Sequence, residues 1–291
     1  MSRVGHVIVR PMTADDVEAA EEISADAFHA LDLRLRRAAD PEPVRRPDGS
    51  AWIARTRRLV TTDGPGCWVA ESDGAVVGIA TSLRREQVWC LVTFAVRPGL
   101  QGAGTGARLL AAAERHGAGC PRAMLSASAD PLAARRYHAA GFALHPQLRL
   151  EGRVDRSALP AATGVREGTG ADREWLDDLD RRHRGGPHGP DHEALAADGT
   201  LLVAGDRAGY AYASPRRLVT LAARDEATAR RLLWECLARA EGPFLASHVT
   251  MANAWAVDVG LAARLELSTH GYLGLRGMAP PAPYLHDGAL L

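Results

Sequence analysis

The feature that most constrains the fold of this sequence is an apolar run that leads straight into a glycine-rich turn and a helix-forming segment. The run from Val88 to Val96 is apolar and β-branched, which predicts a buried strand that ends before Pro98. The stretch from Gln101 to Gly106 then brings small residues to the start of a helix. Because the first N–H groups of a helix point outward at its positive end, this order of elements predicts a backbone cradle for a pyrophosphate.

Two known types of phosphate-binding glycine loop have a different spacing from this one. A dinucleotide-binding loop needs G-x-G-x-x-G and an acidic residue about 20 residues later, whereas the glycines here are Gly102, Gly104 and Gly106. A P-loop ends in Gly-Lys-Ser/Thr, and the chain contains no lysine. The pattern that fits is Gln-x-x-Gly-x-Gly after a strand ending in Val-x-Pro. It resembles the acetyl-CoA signature of the GNAT (GCN5-related N-acetyltransferase) superfamily.

A second segment, from Ala129 to Phe142, is similar to the last helix of the same superfamily. The family pattern is an Asn or Asp start, an inward-facing Tyr and a Gly-Phe end, matched here by Asp130, Tyr137 and Gly141-Phe142. Asp130 is a suitable N-cap before a proline, and Gly141 is a suitable residue after the helix end. Taken alone, Tyr137 could be a core residue, but the upstream cradle favours a functional role.

The resemblance implies a donor, a reaction and a set of site residues. The donor would be acetyl-CoA, and the acetyl group would pass directly to an amine without an acyl-enzyme. A strand N–H near Phe94 would polarise the thioester carbonyl, and Tyr137 would protonate the leaving thiolate. The positions that would contact the cofactor are Phe94, Ala95, Val96, Gln101, Gly102, Ala103, Gly104, Thr105, Gly106 and Asp130.

The general base is less clearly indicated. The histone-acetylating branch of the superfamily has a Glu on its fourth strand, where this chain has Cys90. Glu86 lies four residues earlier and is the candidate base, although it could equally be a solvated strand end. Other members of the superfamily use an ordered chain of water molecules.

The chain also repeats itself. Val9-Arg10 and Thr13 to Asp16 recur as Val165-Arg166 and Thr169 to Asp172, and an acidic hairpin turn at Asp73 recurs at Asp206. We therefore predict an α/β (α+β) protein of two tandem GNAT folds, each a mixed, splayed sheet flanked by helices. The catalytic domain would span 1–151 and a degenerate domain 163–291, joined by a connector at 152–162. The tandem architecture resembles mycothiol synthase, although in that family the second copy is the catalytic one.

The second copy has lost the groups that would bind a cofactor. Aligned on their paired leucines, Gly104 and Gly106 correspond to Ala227 and Ala229. Counted back from Gly141 and Gly260, Tyr137 corresponds to Ala256. Asp225 and Glu226 would also repel a pyrophosphate. The second copy is therefore predicted to bind no acetyl-CoA, and its proline-rich, apolar tail from Gly277 is predicted to pack along a groove.

Composition excludes several classes of function. The formal net charge is zero, so neither nucleic acid nor a membrane surface is an expected partner. There is no signal-peptide pattern or spanning apolar run, which predicts a cytoplasmic monomer or homodimer. The four cysteines have no metal spacing, and His183, His188 and His192 lie in a Gly/Pro-rich loop, so no metal is predicted.

The function predicted from these features is an N-acetyltransferase for a small-molecule amine. Two alternatives stay open. The protein could use another acyl donor on the same fold, or it could be a non-enzymatic acyl-CoA sensor.

Overall fold

A computed structural model describes residues 7–36, 48–161 and 164–291 of the chain. The chain divides by internal contacts into two compact units. The first unit comprises Met1–Arg84 and Trp89–Cys120, and the second comprises Arg85–Val88 and Pro121–Leu291.

The first unit is a sheet covered by helices. Apart from Arg85 and Val88, which fall in the second unit, its elements in chain order are β1 (Ile8–Pro11), α1 (Val17–Leu35), α2 (Ser50–Thr62), β2 (Cys67–Ser72), β3 (Ala75–Arg85), β4 (Val88–Val96) and α3 (Thr105–Glu114). The strands lie in the order β1-β2-β3-β4, with β1–β2 and β2–β3 antiparallel. Val17, Ala20 and Ile23 of α1 are buried, as their helical spacing predicts.

The second unit is a longer mixed sheet with helices. Its elements in chain order are β5 (Arg122–Ala127), α4 (Pro131–Ala139), β6 (Ala143–Arg153), β7 (Val165–Glu167), α5 (Arg173–Arg184), α6 (His192–Asp198), β8 (Thr200–Ala204), β9 (Gly209–Ser214), β10 (Arg217–Ala223), α7 (Glu226–Ala238), β11 (Pro243–Thr250), α8 (Ala254–Ala262), β12 (Glu266–Arg276) and β13 (Tyr284–Leu285). Apolar residues of β8 to β11, α7 and α8 form its core.

Each half of the chain begins with the same local structure. Thr13 N–H donates to the Asp16 carboxylate at 2.8 Å, and Arg10 pairs with that carboxylate at 2.8 Å. In the second half, Thr169 N–H donates to Asp172 at 2.9 Å, and Arg166 pairs with it at 2.8 Å. The sequence repeat is therefore also a repeat of structure, as the capping pattern predicts.

The strand order of the second unit shows an exchange between the two repeats. The sheet runs β5-β12-β6-β11-β10-β9-β8-β7. β12, from the end of the second repeat, pairs with β5, whereas β6, from the end of the first repeat, pairs with β11. β12 therefore lies between β5 and β6, the last strand of the first repeat.

The tail from Gly277 is packed, as predicted. β10 and β11 are parallel and share a single register pair, Arg217 with Leu245. Beyond that pair, β10 instead bonds to β13, with Leu221 opposite Leu285 and Ala222 opposite Tyr284. The tail thus occupies the opening beside β10, and Leu285, Leu290 and Leu291 are buried.

The predicted elements are present with small shifts at their ends. The strand predicted over 88–96 is β4, and the cradle helix begins at Thr105. Residue 162 of the predicted connector lies outside the described residues. The compact units do not follow the predicted 1–151 and 163–291 division because of the strand exchange, and that division stays a prediction about the repeats. Within the described ranges, no helix combines the length and the apolar character needed to cross a bilayer.

Candidate functional site

The glycine-rich turn follows β4 in the first unit and forms an open concave backbone. Gly102 and Gly104 have φ angles of 88° and 86°, in the left-handed region that glycine adopts without strain. A Cβ built at either position would meet no atom within 4 Å, so the space in front of both residues is open. Gln101 stabilises the turn because its Nε2 donates to the Val96 carbonyl at 3.2 Å.

The N-terminus of α3 has no internal partner for its first N–H groups. Gly104 is its N-cap and has no side chain to accept a bond. The first backbone bond of this turn is Arg108 N–H to Gly104 O at 3.2 Å. The N–H groups of Thr105, Gly106 and Ala107 therefore have no acceptor among the described residues. Together with the helix dipole they form a binding position for an anion.

The corresponding helix of the second repeat is closed by its own side chain. α7 has Asp225 as N-cap, and this carboxylate accepts from Thr228 N–H at 2.8 Å. That bond is the largest cause of the lowered pKa of Asp225. Ala227 lies inside this helix, and Ala256, opposite Tyr137 in the repeat, is buried in α8. A carboxylate thus already occupies the anion position in the second repeat.

The strand positions predicted to contact the cofactor precede the cradle. Ala95 and Val96 are buried at the end of β4, and Phe94 is half-buried. These residues, with Gln101, Ala103 and the rest of the cradle, belong to the first unit, whereas Glu86, Asp130 and Tyr137 belong to the second.

Tyr137 lies on the buried face of α4. It is 6% exposed, and its ring packs edge-on against Phe142 with centroids 6.4 Å apart. Burial raises the pKa of Tyr137, with a further contribution from Asp130, so the phenol is protonated at neutral pH. Asp130 caps the helix, accepting from Leu132 N–H at 3.0 Å. The predicted helix start is confirmed.

Glu86 lies in the turn between β3 and β4. Its carboxylate is exposed and accepts from Arg181 Nε at 3.0 Å. Glu86 has a φ of 48°, which fits a tight hairpin turn. It precedes β4, whereas the cradle follows the other end of this strand. The role of Glu86 as base stays a prediction.

The structure also brings together a polar cluster that the sequence did not indicate. The side chains come from β5, β6, β11, β12 and the tail: Ser126, Gln147, His248, His270 and His286. Ser126 Oγ lies 3.3 Å from His248 Nδ1, and the Gln147 amide lies 3.3 Å from the same nitrogen. The rings of His248 and His286 are 4.7 Å apart.

His248 is the unusual member of this cluster. Its φ is 63°, at a bulge where β11 shifts register against β6. Burial lowers the pKa of His248 well below its ordinary value, and His286 and His270 lower it further, so the imidazole is neutral. No sequence motif marks it, because its partners are far apart in the chain.

Of the three histidines considered as metal ligands, His183 and His188 make hydrogen bonds within the protein. His183 Nε2 donates to the Ala223 carbonyl at 2.8 Å. His188 Nδ1 donates to Asp180 at 2.7 Å, and its other nitrogen accepts from Arg184 at 2.9 Å. Ligand atoms of Asp177, Asp180 and His192 do lie within 4.8 Å of one another.

Asp180 is part of a fully buried polar network. It accepts from Tyr210 Oη at 2.5 Å as well as from His188. Burial would raise the pKa of Asp180, but His188 and Arg184 lower it more, so the carboxylate is ionised. Arg184 also donates to the main-chain oxygens of Leu290, at 2.8 Å, and Leu291. The network therefore connects α5 to the packed tail.

An uncapped helix after a glycine turn, beside a mixed sheet with helices, matches the fold of GNAT acyltransferases. Residues 28–142 match the model of the Acetyltransferase (GNAT) family. The matched stretch includes the cradle and α4, so this part of the chain is similar to the GNAT family. A search of curated protein sequences found no match.

Solved structures with the same fold cover nearly the whole chain. A protein from Pyrococcus horikoshii classed as an acetyltransferase has a TM-score of 0.75 at 16% identity, covering 98% of this chain and 95% of its own. A GCN5-related N-acetyltransferase from Kribbella flavida has a TM-score of 0.60 at 17% identity, with coverages of 94% and 71%. A tandem GNAT protein from the clavulanic acid biosynthesis pathway has a TM-score of 0.59 at 15% identity, covering 94% of this chain and 99% of its own. At these identities the likeness shows the fold, including its tandem form.

Proposed function

We propose that the protein is an acetyl-CoA-dependent N-acetyltransferase that transfers an acetyl group directly to the amine of a small molecule. The observation that carries the proposal is the open cradle with its three unpartnered N–H groups at the start of α3. A pyrophosphate is the group in acetyl-CoA that such a cradle binds, through backbone N–H groups and the helix dipole.

The chain's own residues supply the remaining steps. The β4 backbone near Phe94 would polarise the thioester carbonyl, so that negative charge on its oxygen is stabilised as the amine attacks. Tyr137 would give its proton to the departing thiolate. The raised pKa of this phenol keeps the proton available at neutral pH. Asp130, engaged with Leu132 N–H, would line the cofactor site as an acceptor.

The proton of the attacking amine needs an acceptor, and two groups are candidates. Glu86 is the one that the sequence suggests, and its carboxylate is held by Arg181. His248 is the one that the structure adds, a neutral imidazole with Ser126 beside it. Both are tested below.

The remaining features of the proposal concern location and acceptor. We place the protein in the cytoplasm, where the buried thiols of Cys67, Cys90 and Cys236 would stay reduced. A small-molecule amine is preferred as acceptor over a nucleic acid because the net charge is zero.

The proposal is tested by measuring CoA thiol release from acetyl-CoA with a panel of small amines. An N-acetyltransferase releases thiol only when an accepted amine is present, and mass spectrometry finds that amine heavier by one acetyl group. Tight CoA binding without release on any amine would instead support the sensor. Thiol release with a longer acyl-CoA but not with acetyl-CoA would support the alternative that the protein uses another acyl donor.

A further inference from the structure

A pocket of about 130 Å³ opens on the second unit. Its lining combines three arginines with one apolar side: Trp175, Asp178, Leu179, Arg182, Arg207 and Arg224. Trp175 and Leu179 are buried, whereas all three arginines are exposed.

Three separate elements hold the arginines around this pocket. Trp175, Leu179 and Arg182 follow helical spacing on α5, so they share one face of that helix. Arg207 lies in the turn between β8 and β9, and Arg224 follows β10. Arg224 N–H donates to Ala208 O at 2.8 Å, which fixes the end of β10 beside the turn that carries Arg207.

The positive charges of this pocket are not neutralised by the protein. Neither an ion pair nor a side-chain hydrogen bond engages Arg182, Arg207 or Arg224 within the described part of the chain. The single acidic side chain in the lining, Asp178, is paired with Arg181 at 2.7 Å. Guanidinium groups that share a pocket repel one another, so an anion between them would be stabilised.

The backbone at Arg207 adds an independent argument. Asp206 and Arg207 have φ angles of 58° and 52°. The matching hairpin of the first repeat has Asp73 at 51° and Gly74 at 77°, with glycine at the second position. A non-glycine residue in this region costs about 1–2 kcal/mol. The second repeat therefore has an arginine at a position where glycine would be more stable.

We propose that this pocket binds a phosphoryl group. A phosphate carries up to two charges and several acceptor oxygens, which suit the paired N–H groups of arginine. The pocket volume fits a phosphate or the phosphate end of a larger molecule. The apolar side formed by Trp175 and Leu179 strengthens the attraction, because it keeps water away from one side of the anion.

The test is calorimetric titration of the full chain with inorganic phosphate and with glycerol phosphate, each against chloride at equal ionic strength. Arg207→Gly should weaken phosphate binding about tenfold or more, since one charged donor is lost. It should also leave the melting temperature in phosphate-free buffer unchanged or raised, since glycine relieves the turn. Arg182→Ala should weaken binding similarly. Arg216→Ala, which removes an exposed arginine from another turn, is the matched control and should bind as the parent does.

Two further results identify the phosphate ligand and the site at which it binds. Glycerol phosphate binding at least as tightly as phosphate would identify a phosphomonoester as the ligand, and phosphate alone would identify the free ion. Retention of phosphate binding in Gly104→Asp would separate this pocket from the cradle. The proposal is overturned if neither phosphate binds more tightly than chloride. It is also overturned if the Arg207 and Arg182 variants bind like the parent, or if Arg216→Ala loses binding equally.

Discussion

Tyr137 combines a buried ring with a protonated hydroxyl, and both a structural and a catalytic role are compatible with that position. A structural role depends on the ring and its contact with Phe142. A catalytic role depends on the oxygen alone. Replacement by phenylalanine separates them, because it removes one atom and keeps the ring.

Tyr137→Phe should lower kcat about a hundredfold with little change in CoA affinity. The proton matters only as sulfur gains charge in the transition state, and general-acid catalysis supplies roughly 10²–10⁴-fold. Single-turnover rates and melting temperature should be measured on the same sample. A lower melting temperature with wild-type turnover per folded molecule would remove Tyr137 from the mechanism.

Glu86 and His248 can be separated in the same assay. Glu86→Gln preserves the shape of the turn and loses the charge, whereas His248→Gln keeps a hydrogen-bonding side chain near Ser126 that cannot take up a proton. The base should be the residue whose replacement lowers kcat by about 10²-fold or more and flattens the pH–rate profile. If both variants keep the parental rate and profile, the proton leaves through water.

Among the elements, α3 and α7 show how one helix start is left open and the other closed. α3 begins after a glycine without a side-chain cap, and α7 begins after Asp225, which caps it. An N-cap normally stabilises a helix by about 1 kcal/mol. The first repeat does without that stabilisation at the position where an anion would bind.

Gly104→Asp should abolish acetyl-CoA binding, because its carboxylate would lie at the pyrophosphate position, as Asp225 does in α7. It should also cost about 1–2 kcal/mol of stability, since an L residue is strained at this φ. Gly119→Asp is the matched control, with a φ of 82° and equally open space. It should lose similar stability and keep CoA binding. Thermal stabilisation by CoA that is equal in both variants would contradict the cradle assignment.

For the whole molecule, the two repeats predict an asymmetric stoichiometry. In the second repeat, Asp225 closes the helix start and β13 occupies the opening beside β10. One CoA should therefore bind per chain. Calorimetry that returns two comparable sites would show that the second repeat is not closed in solution.

Stability should fall in acid because of histidines that are buried and neutral. Burial is the largest cause that lowers the pKa of His286, to about 4. The unfolded chain takes up a proton near pH 6.5, whereas the native state does not until about pH 4. Above pH 6.5, His286 therefore leaves the free energy of unfolding unchanged. As the pH falls, it lowers the free energy of unfolding, by about 2 kcal/mol at pH 5.

Denaturant titrations at pH 7 and pH 5 measure this effect. His286→Gln cannot titrate, so its free energy of unfolding should change less between these pH values than that of the parent. The exposed His138→Gln is the control and should keep the parental difference. If His286→Gln also keeps the parental difference, the acid sensitivity arises elsewhere.

Features that depend on neighbouring residues could be predicted from the order of the residues. Strand, glycine turn and helix follow each other within 88–110, and the Thr13 and Thr169 caps lie within three residues of their partners. Such features depend on local backbone geometry and helix-end chemistry, so the cradle, the Asp130 cap and the GNAT fold could be predicted from the residues alone.

Features that depend on pairing between distant segments are visible only in the folded chain. The exchange of β6 and β12 could not be predicted, because both strands have similar apolar patterns and register energies do not show in one sequence. The same holds for Ser126 beside His248 and for the three arginines of the second unit. Ser126 and His248 are 122 residues apart, and the three arginines come from three separate elements. Only folding gives those side chains a shared environment that sets their charge and protonation.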